Sequence, residues 1–194
     1  MNYIARLSAT LVSLGLAAAC AQPAPPPAPA APAAPVQSPV ERGNYIVTAG
    51  ACHDCHTPLK MGPNGPEPDM SRMLSGHPES IKIAKGPKLD DPWMAAASST
   101  MTAWSGPWGI SYTANLTPDV NTGLGNWTED MFIKAIREGK HMGTSRPILP
   151  PMPWQVFRNY TDDDLKAIFA YLKSIPPVTN HVPDPIIAEA PVKK

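Results

Sequence analysis

The amino-acid sequence predicts an all-α domain with three main helices, spanning residues 40–180 of the 194-residue chain. Two observations support this fold class. Apolar side chains recur at helical spacing in three separate stretches, and no regular alternation of strands and helices surrounds them. The chain contains 26 prolines and only 7% aromatic residues, so we expect a modest core with long connecting segments.

The first two helices are predicted at residues 40–49 and 128–138. Their apolar side chains fall on one helical face, at Tyr45, Ile46 and Ala49 in the first helix and at Phe132, Ile133 and Ile136 in the second. Gly139 follows the second stretch directly. Glycine readily adopts the left-handed conformation that ends many helices, so Gly139 is predicted to cap this one.

The third helix is predicted to begin after Thr161, a favourable N-cap residue. Three aspartates at positions 162–164 suit the positive end of the helix dipole. Apolar residues then repeat at helical spacing, at Leu165, Ile168, Phe169 and Leu172. Pro176 and Pro177 are predicted to stop the helix.

A long Gly/Pro-rich insertion lies between the first and second helices, at residues 57–112. A connection of this length is expected to be functional or to have structure of its own. The functional interpretation is a lid over one edge of the site, or a docking surface for a partner. The alternative is a packed, Ω-like excursion that completes a thin core.

The N-terminus has the features of a bacterial export signal. Arg6 precedes an apolar run at residues 7–19, and that run is shorter than the roughly 20 residues that span a bilayer. Small residues before Cys20 resemble a lipobox, in which the cysteine is acylated. Ordinary cleavage at the alanines of positions 17–19 is the alternative and would leave Cys20 free. We predict a signal peptide at residues 1–19 and an exported, membrane-anchored periplasmic lipoprotein, with a soluble periplasmic protein as the alternative.

Residues 20–39 are predicted to be a linker between the lipidated Cys20 and the domain. From position 23 onward this segment is almost entirely proline and alanine, which excludes a regular helix and favours extended polyproline II. A semi-rigid segment of this kind suits a membrane tether. Residues 181–194 are predicted to form a C-terminal tail.

The charge balance excludes one class of partner. The chain has 16 basic and 16 acidic side chains and a pI of about 7.0, whereas proteins that bind nucleic acid carry a basic surface. We therefore expect no nucleic-acid partner and no polybasic membrane patch.

Cys52, Cys55 and His56 form a Cys-x-x-Cys-His motif, the attachment sequence for c-type haem. The two thiols bond to one porphyrin and the adjacent histidine is placed to ligate its iron. The second imidazole nitrogen is expected to donate to a backbone carbonyl, with that of Pro58 as a candidate. A thioredoxin-like redox pair and a zinc site are alternatives. A thioredoxin-like pair would be surrounded by alternating strands and helices, which this sequence lacks. A zinc site would need a second pair of cysteines, which is also missing.

The sixth iron ligand is predicted to be Met152. Prolines on both sides stiffen its loop, and a soft thioether sulfur suits iron and raises its potential. Met142 is the second candidate. His77 or His141 would instead give bis-histidine ligation and a lower potential.

These motifs together resemble the class I cytochrome c domain, and in particular the cytochrome c modules of bacterial membrane-bound alcohol and gluconate dehydrogenases. The resemblance covers roughly residues 40–178. It is carried by Gly43 and Tyr45, the Cys-x-x-Cys-His motif, Asn115-Leu116-Thr117-Pro118-Asp119, residues 122–128, Arg137-Glu138-Gly139-Lys140 and Pro151-Met152-Pro153. Those dehydrogenase subunits usually have three such modules, whereas this chain has a single motif, so a single-haem, stand-alone carrier is predicted.

The resemblance also implies roles at the edge of the haem. The residue that matches Trp127 packs near a haem propionate in the family, and Arg137 or Arg146 would pair with a propionate. The alternatives are a core tryptophan and solvated arginines.

The predicted function is electron transfer by one covalent haem c whose iron cycles between Fe(III) and Fe(II), with no catalytic residue and no enzymatic activity. Redox proteins are the expected partners, either a donor dehydrogenase or a terminal oxidase or reductase. A cytochrome subunit of a dehydrogenase complex is one alternative. A haem enzyme with an open iron position is another.

Overall fold

The computed structural model describes residues 37–188. The predicted signal peptide, the predicted lipid attachment at Cys20 and nearly all of the predicted linker lie outside the described residues. So do positions 189–194. Within residues 37–188, no helix is both long enough and apolar enough to cross a membrane.

Five α-helices are present in the described part of the chain: α1 (Pro39–Ala49), α2 (Cys52–His56), α3 (Glu129–Glu138), α4 (Trp154–Phe157) and α5 (Asp162–Ser174). Helices α1, α3 and α5 confirm the three predicted helices. Two short 3-10 helices, at Met70–Arg72 and His141–Gly143, lie in the connections.

Local capping explains where these helices begin and end. At the start of α1, the Ser38 hydroxyl accepts from the Glu41 amide, and the Glu41 carboxylate accepts from the Ser38 amide. Thr128 caps α3 through the Met131 amide at 3.2 Å. Gly139 ends α3 in the left-handed conformation with φ of 64°, as predicted.

Helices α1 and α5 pack closely against each other. Gly43 makes this possible, because a β-carbon at this position would collide with the backbone carbonyl of Ala167 and approach the Tyr171 Cβ at 2.7 Å. Arg42 Nε lies 2.9 Å from Asp164 Oδ1 and links the start of α1 to the first turn of α5. The main core is built largely from these helices and α3, from Ile46, Val47, Leu74, Leu124, Phe132, Ile136, Leu165, Ile168, Phe169, Leu172 and Ile175.

The expected all-α fold class is wrong, because the described residues also form two antiparallel β-sheets. The strands are β1 (Leu59–Gly62), β2 (Gly65–Pro68), β3 (Ala96–Ala97), β4 (Ala103–Gly106), β5 (Gly109–Tyr112) and β6 (Ile186–Ile187). Strands β1 and β2 form one sheet, and the other has the order β3-β4-β5-β6. The insertion at residues 57–112 therefore contributes five of the six strands rather than an irregular loop.

Two features of the inserted segment account for the wrong fold class: its tight hairpin turns and its short strands. The sequences Gly62-Pro63-Asn64-Gly65 and Gly106-Pro107-Trp108-Gly109 each close a hairpin through a two-residue loop, with the flanking glycines paired across the strands. Gly65 and Gly109 both have positive φ, at 117° and 104°, where glycine is favoured. Strands of two to four residues are too short for an alternating apolar pattern to identify them.

The chain beyond α5 returns to this second sheet. Asn180 is fully buried, and its amide nitrogen donates to the carbonyls of Ser75 at 2.7 Å and His77 at 2.9 Å. Ile186 and Ile187 then pair with β5. The described part of the predicted tail thus folds against the insertion.

Candidate functional site

A cavity of about 560 Å³ lies between the helices and the β-structure. This volume is in the range of about 300–1,000 Å³ common for small-molecule and cofactor sites. The lining includes all six residues that the sequence predicts for the site, namely Cys52, Cys55, His56, Trp127, Arg146 and Met152. Core side chains supply much of the remaining wall, including Val47, Leu124, Phe132, Ile136, Leu165 and Leu172.

Helix α2 places both cysteines and the histidine at the cavity. Ala51, with φ of 57°, turns the chain sharply between α1 and α2. Because Cys52 and Cys55 are three positions apart in a helix, their side chains lie on the same face. Burial raises the pKa of Cys52 to about 11 and also raises the pKa of Cys55. The thiols are therefore protonated at neutral pH, unlike the reactive thiolate of a thioredoxin-like pair.

His56 is buried and has a defined tautomer. Its Nδ1 lies 2.8 Å from the carbonyl oxygen of Ala114, and a carbonyl only accepts, so Nδ1 carries the proton and Nε2 keeps its lone pair. Burial lowers the pKa of His56, and the hydrogen bond to Ala114 opposes that shift. The ring is thus a neutral imidazole with one nitrogen free to bind a metal.

The predicted hydrogen bond from His56 to Pro58 is wrong. The Pro58 carbonyl accepts from the Asp69 amide at 2.8 Å instead. Ala114 takes its place because the chain after β5 passes alongside α2, where Gly76 also donates to the His56 carbonyl. This partner lies 58 positions from His56 in sequence, so local spacing could not identify it.

Met152 alone among the methionines of residues 37–188 lines the cavity. The loop that contains it is fixed on both sides. On the N-terminal side, the Ile148 amide donates to the Gly139 carbonyl at 2.8 Å and the Ser111 hydroxyl donates to the Pro150 carbonyl at 2.6 Å. On the C-terminal side, α4 begins at Trp154.

The other candidate ligands fall in different places. Met142 is 41% exposed and does not line the cavity. His77 is fully buried elsewhere, and its ring nitrogens bond to the Thr102 hydroxyl and the Ile81 carbonyl, both at 3.0 Å. His141 does line the cavity, with its ring edge-on to Trp127 at a centroid distance of 5.3 Å.

The two arginines predicted near a propionate differ in their position relative to the cavity. Arg146 lines the cavity, and its Nε lies 4.0 Å from the exposed Asp184 carboxylate. Arg137 does not line the cavity. Its guanidinium donates to Asp162 at 2.6 Å and to the Arg158 carbonyl, on the outer side of α3.

Sequence reasoning missed a polar wall formed by residues 111–115, all of which line the cavity. Within it, Thr113 Oγ1 is buried and has no hydrogen-bond partner among the described residues. His181, from the predicted tail, also lines the cavity. Asn115 belongs to a run that carries the resemblance. No local pattern marks the other positions, because their place depends on sheet pairing and on the return of the chain after α5.

The lining fits the chemistry of covalent haem. Apolar walls suit a porphyrin, two thiols suit covalent attachment, and an imidazole with a thioether suits iron. The buried Thr113 hydroxyl would find a partner in a ligand with polar groups.

Comparison with known proteins places the chain in a family. The cytochrome c family model matches residues 40–176. The chain is 31% identical over 144 residues to a subunit of the nicotinate dehydrogenase of Pseudomonas putida, a match that covers 74% of this chain and 9% of the relative. It is 28% identical over 172 residues to the fructose dehydrogenase cytochrome subunit of Gluconobacter japonicus, covering 89% of this chain and 28% of the relative.

A third relative is the cytochrome c subunit of the quinone-type alcohol dehydrogenase of Gluconobacter oxydans, 28% identical over 148 residues, covering 75% of this chain and 24% of the relative. The chain thus spans less than a third of the length of each of these relatives. Because the family match extends over most of the chain, the chain belongs to the cytochrome c family, the electron-transfer proteins that carry iron in haem c.

Proposed function

We propose that this chain is an exported, lipid-anchored electron carrier with a single haem c, attached through Cys52 and Cys55 and ligated by His56 and Met152. One observation carries the proposal: these four side chains line the same largely apolar cavity. Bound haem c supplies a one-electron Fe(III)/Fe(II) couple. The protein attaches, orients and buries this group and presents it to redox partners.

The roles of the two proposed ligands follow from their surroundings. The hydrogen bond from His56 Nδ1 to the Ala114 carbonyl fixes the imidazole plane and increases the basicity of Nε2. Met152 contributes a soft sulfur, which raises the potential relative to a second histidine. With both ligands bound, no position is open to a substrate, so the proposal is transfer of electrons rather than a haem enzyme.

Trp127 and Arg146 are proposed to contact the propionate edge. Arg146 lines the cavity, and its planar guanidinium has the geometry to pair with a carboxylate. Trp127 packs against His141 there, so its ring would form a firm wall beside the same edge.

The relatives suggest the kind of partner. All three are named as dehydrogenase subunits, and two of them as cytochrome subunits. We therefore propose a membrane-associated dehydrogenase as the electron donor and a terminal oxidase or reductase as the acceptor. Lipidation of Cys20 and the Pro/Ala-rich segment after it would keep the carrier near such partners.

The test is the absorption spectrum of the purified ferric holoprotein, together with its Met152→Ala variant. The wild-type protein should be low-spin and show the sulfur-to-iron charge-transfer band at the red end of the spectrum. Met152→Ala should lose that band and lower the midpoint potential, because a soft ligand has been removed.

Met142→Ala is the matched control, since this methionine is exposed and away from the cavity. It should leave both the band and the potential unchanged. A wild-type protein that is high-spin and takes up cyanide or peroxide readily would contradict the proposal and favour a haem enzyme.

A further inference from the structure

The loop that contains Met152 has few backbone donors of its own. Pro150, Pro151 and Pro153 lack an N–H group, so Met152 provides the single amide in this four-residue segment. The segment therefore cannot be fixed by backbone donors in the way that a helix or strand is. Its carbonyl groups can still accept, and that of Pro153 does so from the Val156 and Phe157 amides of α4, at 2.9 and 3.2 Å.

On the N-terminal side of Met152, the donor to this segment is a side chain of the inserted sheet. Ser111 in β5 is only 8% exposed, and its hydroxyl donates to the Pro150 carbonyl at 2.6 Å. A second acceptor, the Trp104 carbonyl, lies at 3.4 Å, at the edge of hydrogen-bonding distance. The short contact is thus the one to Pro150, two positions before Met152 and 39 positions from Ser111.

The same stretch of chain also contacts the other proposed ligand. Three positions after Ser111, the Ala114 carbonyl accepts from His56 Nδ1 at 2.8 Å. The segment from Ser111 to Ala114 is therefore a wall of the cavity that contacts the Met152 loop at one end and the His56 ring at the other. Pairing with β4 and β6 gives this wall its position.

We propose that Ser111 is a positioning residue for Met152: its hydroxyl holds the proline-rich loop in the place where the methionine sulfur ligates iron. This deepens the function proposed above and rests on Met152 being a ligand. The insertion at residues 57–112 then has a defined role, because it supplies a hydrogen bond that holds the ligand loop in place.

The experiment measures how easily an external ligand displaces Met152 in the ferric holoprotein. Imidazole is titrated against wild-type protein and Ser111→Ala, and loss of the sulfur-to-iron band is followed. Removing one buried hydrogen bond from the closed loop should make imidazole bind about fivefold more tightly. Ser111→Thr keeps the hydroxyl and should return towards wild-type affinity. Ser111→Val also removes the hydroxyl and should raise imidazole affinity by a similar factor, so it replaces Ser111→Ala if the alanine variant folds poorly.

Ser98→Ala is the control for general loosening of the sheet. Ser98 lies next to β3, where its hydroxyl accepts from the Ala103 amide at 3.1 Å and bonds to Thr100, and among residues 37–188 it makes no hydrogen bond to the Met152 loop. It should lower thermal stability without a change in imidazole affinity. An equal increase in affinity in Ser98→Ala, or wild-type affinity in both Ser111→Ala and Ser111→Val, would overturn the proposal.

These outcomes differ from failure of the proposed function. If Met152 is not a ligand, the sulfur-to-iron band is missing from the wild-type protein or survives in Met152→Ala. If Met152 is a ligand but Ser111 has no positioning role, the band is present and responds to imidazole identically with and without the hydroxyl.

Discussion

The helical frame and the β-structure contribute to the site in different ways. Helices α1, α3 and α5 supply much of the apolar wall, including Val47, Ile136 and Leu172. The inserted sheet and the chain just after it supply the polar contacts that orient both proposed ligands, from Ser111 and from the Ala114 carbonyl. A cofactor site of this kind thus needs apolar side chains that surround the cofactor and polar groups that orient its ligands. Here the two come from different parts of the chain.

The largest expected loss of stability comes from removing the Asn180 side chain, which connects the chain after α5 to the inserted segment. Asn180→Ala removes the donor to the Ser75 and His77 carbonyls and the acceptor for the Glu79 amide. Ser75 and His77 are buried, and each buried polar group left without a partner costs about 1–3 kcal/mol, so the free energy of unfolding should fall by at least about 2 kcal/mol. Chemical denaturation followed by far-UV circular dichroism measures this change.

Asn126→Ala is the matched control, because this exposed amide makes one hydrogen bond, to the Val120 carbonyl. It should change stability by less than about 1 kcal/mol. Equal stability losses in the two variants would show that the buried network at Asn180 does not support the β-structure.

A slightly smaller effect is expected in the helical frame. Gly43→Ala places a methyl group against the Ala167 carbonyl of α5, and overpacking of this kind costs about 1–3 kcal/mol. Thermal unfolding should therefore shift to lower temperature. Asn44→Ala, at the next and exposed position of α1, should cause little change or a small gain, since alanine favours helix.

The two regions also differ in how far the sequence predicts them. Helix α3 is predictable together with its end at Gly139, because apolar spacing and caps are local signals. The hairpins are not predicted, although each contains a Gly-Pro-x-Gly turn that could have identified it. The chain that passes beside α2 is not predicted either, because no local signal marks a contact between Ala114 and a residue 58 positions earlier.

The candidate site follows the same division. Cys52, Cys55 and His56 are close together in sequence, so their motif identifies them directly. Met152 requires a choice among methionines. It lines the cavity, and its role as a ligand stays a prediction. Ser111 and Thr113 carry no such signal, because their position depends on tertiary structure.

The smallest expected effect is electrostatic. Hydrogen bonding from Arg42 lowers the pKa of Asp164 in the folded protein. The ionised carboxylate therefore stabilises the fold at pH values above its unfolded pKa, near 4. This contribution is lost as the pH falls through the lower pKa of the folded state. Asp164→Asn should reduce stability by about 0.5–1 kcal/mol at pH 7. The difference from wild type should shrink towards the acid limb of a pH series of thermal unfolding.

Asp163→Asn provides the comparison, since it changes an exposed acid in the same turn of α5 that forms no ion pair with α1 in the described part of the chain. A wild-type advantage over Asp164→Asn that persists unchanged at low pH would contradict the assigned role of the Arg42–Asp164 pair.

The most direct test of the central claim is X-ray absorption at the iron edge of the ferric holoprotein, because it identifies the atoms bound to iron. With His56 and Met152 as ligands, the iron should have five nitrogen neighbours and one sulfur. The sulfur should disappear in Met152→Ala and persist in Met142→Ala. Six nitrogen neighbours in the wild-type protein, as ligation by His141 would give, would contradict the account.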